Sequence, residues 1–384
     1  MNTLRLDNNA AISGFARWIA LTVCATLLAG TGCQNSADTK ESVWSTKENS
    51  IINPERATAS KLDIEPGALD DANVAKLRKS AIDLLTQAAK SDSAMVRANA
   101  IEALHVVPEQ ARPVTQSALG DANRGVRFVA AMTVGKLEFC DMTALVTPLL
   151  DDESQSVQAA AIYALRMCGE SVDPTPLANM VLGDNPEAKG NAAMILGELG
   201  NESADRLLLD AAEHSIERVS TARARMIELQ IAESLVKLGH DDELEVIRAA
   251  LFVPAEQGEL SALAAQMCGR LQDGKSTAKL LDLAKRSGQM RMPAEIRLAA
   301  VEGLTRIAPD QAPLNVPMEY VSADQYQVRA QAAMTLGQMG RRSTLQILRG
   351  LMNDPNPVVQ VAAAGAVLRV GPADSELSGN RSRY

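Results

Sequence analysis

The stretch DQYQVRAQAAMTLGQMG at residues 324–340 is a close variant of DANRGVRFVAAMTVGKL at residues 121–137. Each has an Asp, then Val-Arg, then a pair of small residues, then a Gly. The same frame fits residues 92–104, 152–167, 184–200 and 354–370, with weaker copies at 227–239, 260–271 and 296–307. Counted from the apolar residue before the Arg-like position, the copies start at Val96, Val126, Val157, Ala188, Ile227, Leu260, Ile296, Val328 and Val359, at intervals of 30 to 39 residues. A near-constant period with tolerated insertions marks stacked structural units, each unable to bury its apolar face alone.

The period inside a unit is helical. Val328, Ala332, Ala333, Leu336 and Met339 fall on one helical face. Second apolar stripes at residues 114–119, 145–150, 177–182 and 345–351 precede the Val-Arg helices, so each unit is a pair of helices. Asp in the intervening turn is expected to cap the second helix, where its charge also suits the positive dipole end. Pro186, Pro355 and Pro357 stand at such starts, where a missing N–H is tolerated. Aromatic residues make up only 3% of the chain, so Ala, Leu, Val, Ile and Met must fill the core, which favours close helix packing. The expected fold is all-α: a right-handed α-solenoid of about nine helix pairs over residues 71–371.

The pattern D-x-x-x-x-V-R-x-x-A-A-x-x-L-G resembles the HEAT-like repeat of phycobilisome lyases and many bacterial scaffold proteins. That resemblance implies a ladder in which turn Asp and helix Arg residues of successive units alternate along the stack. Asp92 and Arg97, Asp121 and Arg127, and Asp324 and Arg329 match it, and Asp184, Lys189 and Arg297 occupy equivalent positions. Gln158, Lys189 and Gln360 replace the Arg in their units, so interruptions are expected there. The lyase activity of the resembled family is tied to partner subunits and to residues with no counterpart visible in this chain.

Residues 269–276, GRLQDGKS, match the phosphate-cradling pattern G-x-x-x-x-G-K-[ST] letter for letter. A working phosphate loop follows a buried strand and opens a helix, so that backbone N–H groups converge on the phosphate. Here the preceding residues, ELSALAAQMC, form an amphipathic helix instead. Gly269 lies nine positions after Leu260, as Gly135, Gly197 and Gly337 lie nine after Val126, Ala188 and Val328. It is expected to be the intrahelical Gly of the repeat, and Gly274 a helix-ending Gly like Gly200 and Gly340. Nucleotide binding at this segment is therefore not expected.

The N-terminus carries a different message. Arg5 and Arg17 flank an apolar run from Trp18 to Ala29, too short to span a bilayer, which takes about 20 residues. The following GTGC, ending at Cys33, resembles a bacterial lipoprotein processing site, which implies a signal peptide over residues 1–32 and lipidation of Cys33. Plain secretory cleavage nearby is the alternative. Residues 33–70 are polar and aperiodic and read as a tether, and residues 372–384 as a polar tail. Gln34 after the Cys resembles an outer-membrane rather than an inner-membrane destination, with the body facing the periplasm.

Other chemistry is sparse. Only His105, His214 and His240 occur; a resemblance to HEAT-repeat metal enzymes such as the deoxyhypusine hydroxylases would require paired His-Glu motifs, which this chain lacks, and zinc spacings are absent. Of the thiols beyond Cys24 and Cys33, Cys268 sits at a core position, while Cys140 and Cys168 end second helices of neighbouring units, leaving a bridge between them open. A net charge of −9 argues against nucleic acid as a main partner. The expectation is an exported, lipid-anchored scaffold that binds protein or peptide partners, with no cofactor, no metal and no catalysis of its own. Its concave side, lined by the Val-Arg helices, would be the binding groove. An enzyme or enzyme-accessory protein of lyase or hydroxylase type on the same stack is the alternative.

Overall fold

The computed structural model describes residues 69–201, 204–213 and 219–371; the expected signal peptide, Cys33, most of the tether and the C-terminal tail lie outside them. Among the described residues the regular structure is α-helix and short 3-10 turns, without strands. The helices alternate along the chain as α1 (Asp71–Ala88), α2 (Ala94–Ala103), α3 (Pro108–Ala118), α4 (Arg124–Lys136), α5 (Thr143–Val146) and α6 (Gln155–Met167). Next come α7 (Thr175–Leu182), α8 (Pro186–Leu199), α9 (Asp205–Glu213), α10 (Thr221–Lys237), α11 (Leu244–Ala250) and α12 (Gly258–Arg270). The series ends with α13 (Thr277–Lys285), α14 (Ala294–Ile307), α15 (Asn315–Tyr320), α16 (Tyr326–Met339), α17 (Leu345–Leu351) and α18 (Pro357–Arg369). They make nine pairs, and every even-numbered helix is a Val-Arg helix or its counterpart. This is an α-solenoid.

Odd and even helices have different surroundings. In α3, Ala111, Thr115 and Ala118 are buried at helical spacing while the other faces meet solvent. In α8, all ten residues from Ala188 to Gly197 are buried, and α14 is buried from Ile296 to Leu304. A helix with nine consecutive buried residues has no solvent face. The even helices are thus an inner layer clothed by the odd ones.

Close approach within the inner layer depends on the repeat glycines. A Cβ on Gly337 of α16 would lie 2.6 Å from the Cα and Cβ of Ala366 in α18, and one on Gly197 of α8 would lie 2.8 Å from the Ser234 Cβ in α10. Gly269 of α12 and Gly303 of α14 face each other, a Cβ on the first falling 2.7 Å from the Cα of the second.

The stack closes on itself. Each even helix packs against the next from α2 to α18, and α18 packs in turn against α1 and α2. Arg78 of α1 donates to the carbonyl oxygens of Leu368 at 2.8 Å and of Val370 at 3.3 Å, satisfying acceptors at the end of the last helix. Arg342 reaches back to the Asp71 carboxylate at 2.6 Å. Val74 and Leu77 share one apolar core with Val359 to Val370. Among the described residues the closed stack therefore leaves no open concave groove of the kind expected on the Val-Arg helices. Those helices lie between the closed ring of their neighbours and the outer layer, and α10 alone turns exposed side chains such as Arg225 and Glu228 to solvent midway along its length.

The turns also differ in detail from expectation. The caps are mostly Asn: Asn123, Asn185 and Asn356 accept from backbone N–H groups at 2.9–3.0 Å. The turn Asp sits two residues earlier, as Asp121 accepting from the N–H of Asn123 and Asp354 from that of Asn356. Gly200 and Gly340 end α8 and α16 in the left-handed conformation at φ 64°, but Gly274 does not end α12. That role falls to Gln272 at φ 56°, and Gly274 opens the next 3-10 turn.

Cys140 and Cys168 form a disulfide with Cα atoms 5.2 Å apart, tying the ends of α4 and α6 across 28 residues. Replacing both by Ser is expected to cost about 2–4 kcal/mol, because an unfolded loop of that size is released. Denaturant unfolding of the double variant checks it; an unchanged midpoint would count against the bridge.

Candidate functional site

The two ends of the inner ring carry different chemistry. At the N-terminal ends, three helix arginines each pair with the Asp of the following unit. Arg97 holds Asp121 with Nε and Nη2 at 2.8 and 2.7 Å, Arg127 holds Asp152 at 2.7 and 2.9 Å, and Arg329 holds Asp354 at 2.8 and 2.9 Å. The third nitrogen, Nη1, donates to the carbonyls of the residue's own turn, as from Arg127 to Asp121 at 3.0 Å. One guanidinium thereby fixes two adjacent units with charge-assisted bonds.

The expected ladder residues divide accordingly. Asp121 receives a side-chain pair, whereas Asp92 and Asp324 supply their main-chain oxygens to Arg97 and Arg329. Asp184 acts electrostatically on Lys189, which is 2% exposed and whose ammonium burial pushes down. Arg297 binds Glu319, the Tyr320 hydroxyl and the Ala284 carbonyl instead of a turn Asp. Gln158 and Gln360 keep only the local half of the contact, each donating to the carbonyl of its own turn Asp at 2.6 Å. The acceptors Asp152 and Asp354 stand in turns whose pattern was readable, but the partner of each Arg one unit on was not.

The chain also builds a rung from a different helix. Arg248 of α11 holds Asp273 with Nε at 2.8 Å, and Asp273 also accepts from the Ser276 hydroxyl and the Lys275 N–H. Asp273, Lys275 and Ser276 belong to GRLQDGKS. Burial alone would raise the Asp273 carboxyl, yet Arg248 and Ser276 outweigh it and hold it below the usual range. The Asp273 carboxylate thus takes the Lys275 N–H and the Ser276 hydroxyl, the preceding element is helix α12, and Gly269 is a helix-contact residue. The segment is built as a structural turn.

At the C-terminal ends the inner helices carry a polar stripe. Six positions after the repeat start come Glu102, Glu233, Gln266 and Glu302, and ten positions after it come Lys136, Glu198, Lys237, Arg270, Arg306 and Arg369. These two positions are one helical turn apart and share a face. Arg270 binds Glu233 with Nε and Nη2 at 2.7 and 2.9 Å, and Lys237 binds Glu198 at 2.7 Å. Glu302 accepts from Gln266 at 2.8 Å and from Thr335 at 3.2 Å. Burial raises the Glu102 and Glu302 carboxyls. Burial likewise lowers Arg306, with Arg270 adding to it, and brings Arg369 down to about 10. His105, bonded to Thr133 at 2.8 Å, is pushed down to about 3 by burial, with Lys136 and Arg369 adding to the effect. Sequence reading missed this stripe, although counting charges by repeat position would have found it.

Among the described residues no three His, Cys, Asp or Glu side chains stand together as a metal site. Cys268 is fully buried, its thiol pushed up to about 11 by burial, and it lies 3.3 Å from the Ser276 hydroxyl. Neither feature offers an activated nucleophile.

Residues 82–166 and 289–369 match the family model described as HEAT repeats. Both stretches are HEAT repeats. They cover the first two and the last two ladder arginines, and helix pairs also fill the residues between them. Among solved structures, human deoxyhypusine hydroxylase in complex with glycerol is similar over 69% of this chain and 97% of that one, at 16% identity and a TM-score of 0.35. The karyopherin Kap121p bound to the SUMO protease Ulp1p is similar over 77% of this chain and 42% of that one, at 12% identity and a TM-score of 0.34. The chain thus spans under half the length of that karyopherin. Likeness at this level says nothing of activity. No curated protein matches.

Proposed function

We propose that this HEAT-like stack is an exported, lipid-anchored scaffold that docks a protein or peptide partner on its outer surface and catalyses no reaction itself. The observation that carries the reading is the contrast between a largely buried inner layer and large apolar side chains left outside. Phe252 and Met290, in the loops that follow α11 and α13, are 67% and 68% exposed, and Val246 on α11 is 44% exposed. Large exposed apolar side chains on consecutive units of a repeat array are what a docking face requires. Export is supported by the N-terminal signal pattern, and an oxidising compartment by the Cys140–Cys168 disulfide.

Two measurements test it. Crosslinking in native membranes is expected to join the wild-type protein to a defined partner, and Phe252→Asp with Met290→Asp to lose that product. Equal crosslinking by the variant would remove this face from consideration. Cys33→Ala is expected to abolish lipid labelling and leave the precursor unprocessed; normal maturation of the variant would mean a plain secretory signal.

A further inference from the structure

The polar stripe at the C-terminal end of the ring is more than a set of ion pairs. Ten positions after the repeat start it presents five cations, Lys136, Lys237, Arg270, Arg306 and Arg369, against one acid, Glu198. A cation there offsets the negative end of its own helix dipole, which accounts for a charge per helix. It does not account for buried atoms that lack partners. Arg270, whose side chain is 3% exposed, has Nη1 left over after pairing with Glu233. Glu102, 3% exposed, has an unbonded Oε1, and Gln266, 7% exposed, likewise. On α16 the Gln338 amide is buried with both its nitrogen and its oxygen unbonded.

The charged groups of the stripe belong to one electrostatic unit. Arg270 acts on Glu302 and Arg306, Arg306 acts on Arg369, and Arg369 and Lys136 both act on Glu102. Unsatisfied donors and acceptors at such depth cost about 1–3 kcal/mol each, so they call for a bound group. The donors on Arg270 and Gln338 need acceptor oxygens, and the acceptors on Glu102 and Gln266 need a proton donor. With Glu102, Glu233 and Glu302 one turn earlier, the stripe holds five cations against four acids, and the remaining positive charge favours an anion.

We propose that this crown binds a small oxyanion that also carries a hydroxyl proton, of the hydrogen-phosphate or hydroxycarboxylate class. Access is from the C-terminal end of the ring, where Lys237 and Glu198 retain 21% and 27% of their side-chain exposure. The reading is independent of the outer docking face.

Calorimetric titration of the purified protein with inorganic phosphate and, separately, citrate at fixed ionic strength tests the proposal. The expected result is saturable 1:1 binding of one of the two, which also tells the classes apart, with a melting temperature that rises with ligand concentration. Arg306→Gln is expected to weaken binding about tenfold, one charge-assisted contact being lost. Lys136→Gln, at the half-buried edge of the crown, supplies the same test should the first variant fail to fold. Absence of saturable binding to the wild-type protein, or equal binding by a folded variant, would overturn the proposal and leave the stripe as dipole-neutralising charge with water between.

Discussion

Gly269→Leu is expected to destabilise the protein by about 3 kcal/mol, while Gly274→Ala changes stability by less than about 0.5 kcal/mol. Gly269 has the Gly303 Cα in the path of any Cβ at 2.7 Å and the Gly303 carbonyl oxygen at 3.2 Å. Backbone cannot swing aside as a side-chain tip can, so α12 and α14 must move apart, and inner helices bound on every side have nowhere to go. Gly274 has nothing within 4 Å of a Cβ and no left-handed backbone. A phosphate loop would show the opposite sensitivity, because the glycine before its lysine is the one that lies against the phosphates. Denaturant unfolding of both variants decides; an unchanged midpoint for Gly269→Leu would mean that the two helices do not meet there.

Asp152→Ala is expected to cost about 3–5 kcal/mol and to blunt the loss of stability in acid. Asp152 and Arg127 are 6% and 12% exposed as side chains, so removing the carboxylate strands a guanidinium between two units. Burial alone would raise the Asp152 carboxyl, but Arg127 and the Ser154 N–H hold it below the ordinary range, and Asp121 and Asp354 are held down in the same way by Arg97 and Arg329. A carboxyl lowered by folding contributes stability above the ordinary aspartate range that is lost as pH falls through its lowered value. Glu102 and Glu302 act in the other direction: raised by burial, they favour the folded state below the ordinary glutamate range and oppose it as pH rises through their raised values. Stability against pH, measured for wild type and Asp152→Ala, should therefore differ chiefly on the acid side. Parallel acid limbs for the two proteins would mean that the ladder carboxylates are not held ionised by their arginines.

Much of the architecture was legible from residues alone. The spacing of Val96, Val126, Val157 and their successors predicts helix pairs because burial of a helical face is a local property repeated every turn. Gly269 could be separated from a phosphate loop because its place in the repeat matched Gly135, Gly197 and Gly337. The turn Asp was recognisable and a ladder along the stack was implied by the resemblance, but not which Asp each Arg meets. A side chain two residues before a helix can cap it or reach across to the previous unit, and only the offset between units selects the second. For the same reason Asp152, Asp354 and the Arg248–Asp273 rung escaped, since each joins residues that helix periodicity does not relate.

By itself, then, the order of residues determined the helical period, the number of units and which face of each helix is apolar. Those follow from interactions within one turn or one helix pair. Whether the array stays open is decided by the rotation from each unit to the next, a small angle summed over nine pairs and set by how glycine and alanine contacts seat between helices. Closure in turn decided that Arg78 meets the last helix, that the Val-Arg face is largely buried, and that charges scattered from Glu102 to Arg369 converge at one end of the ring.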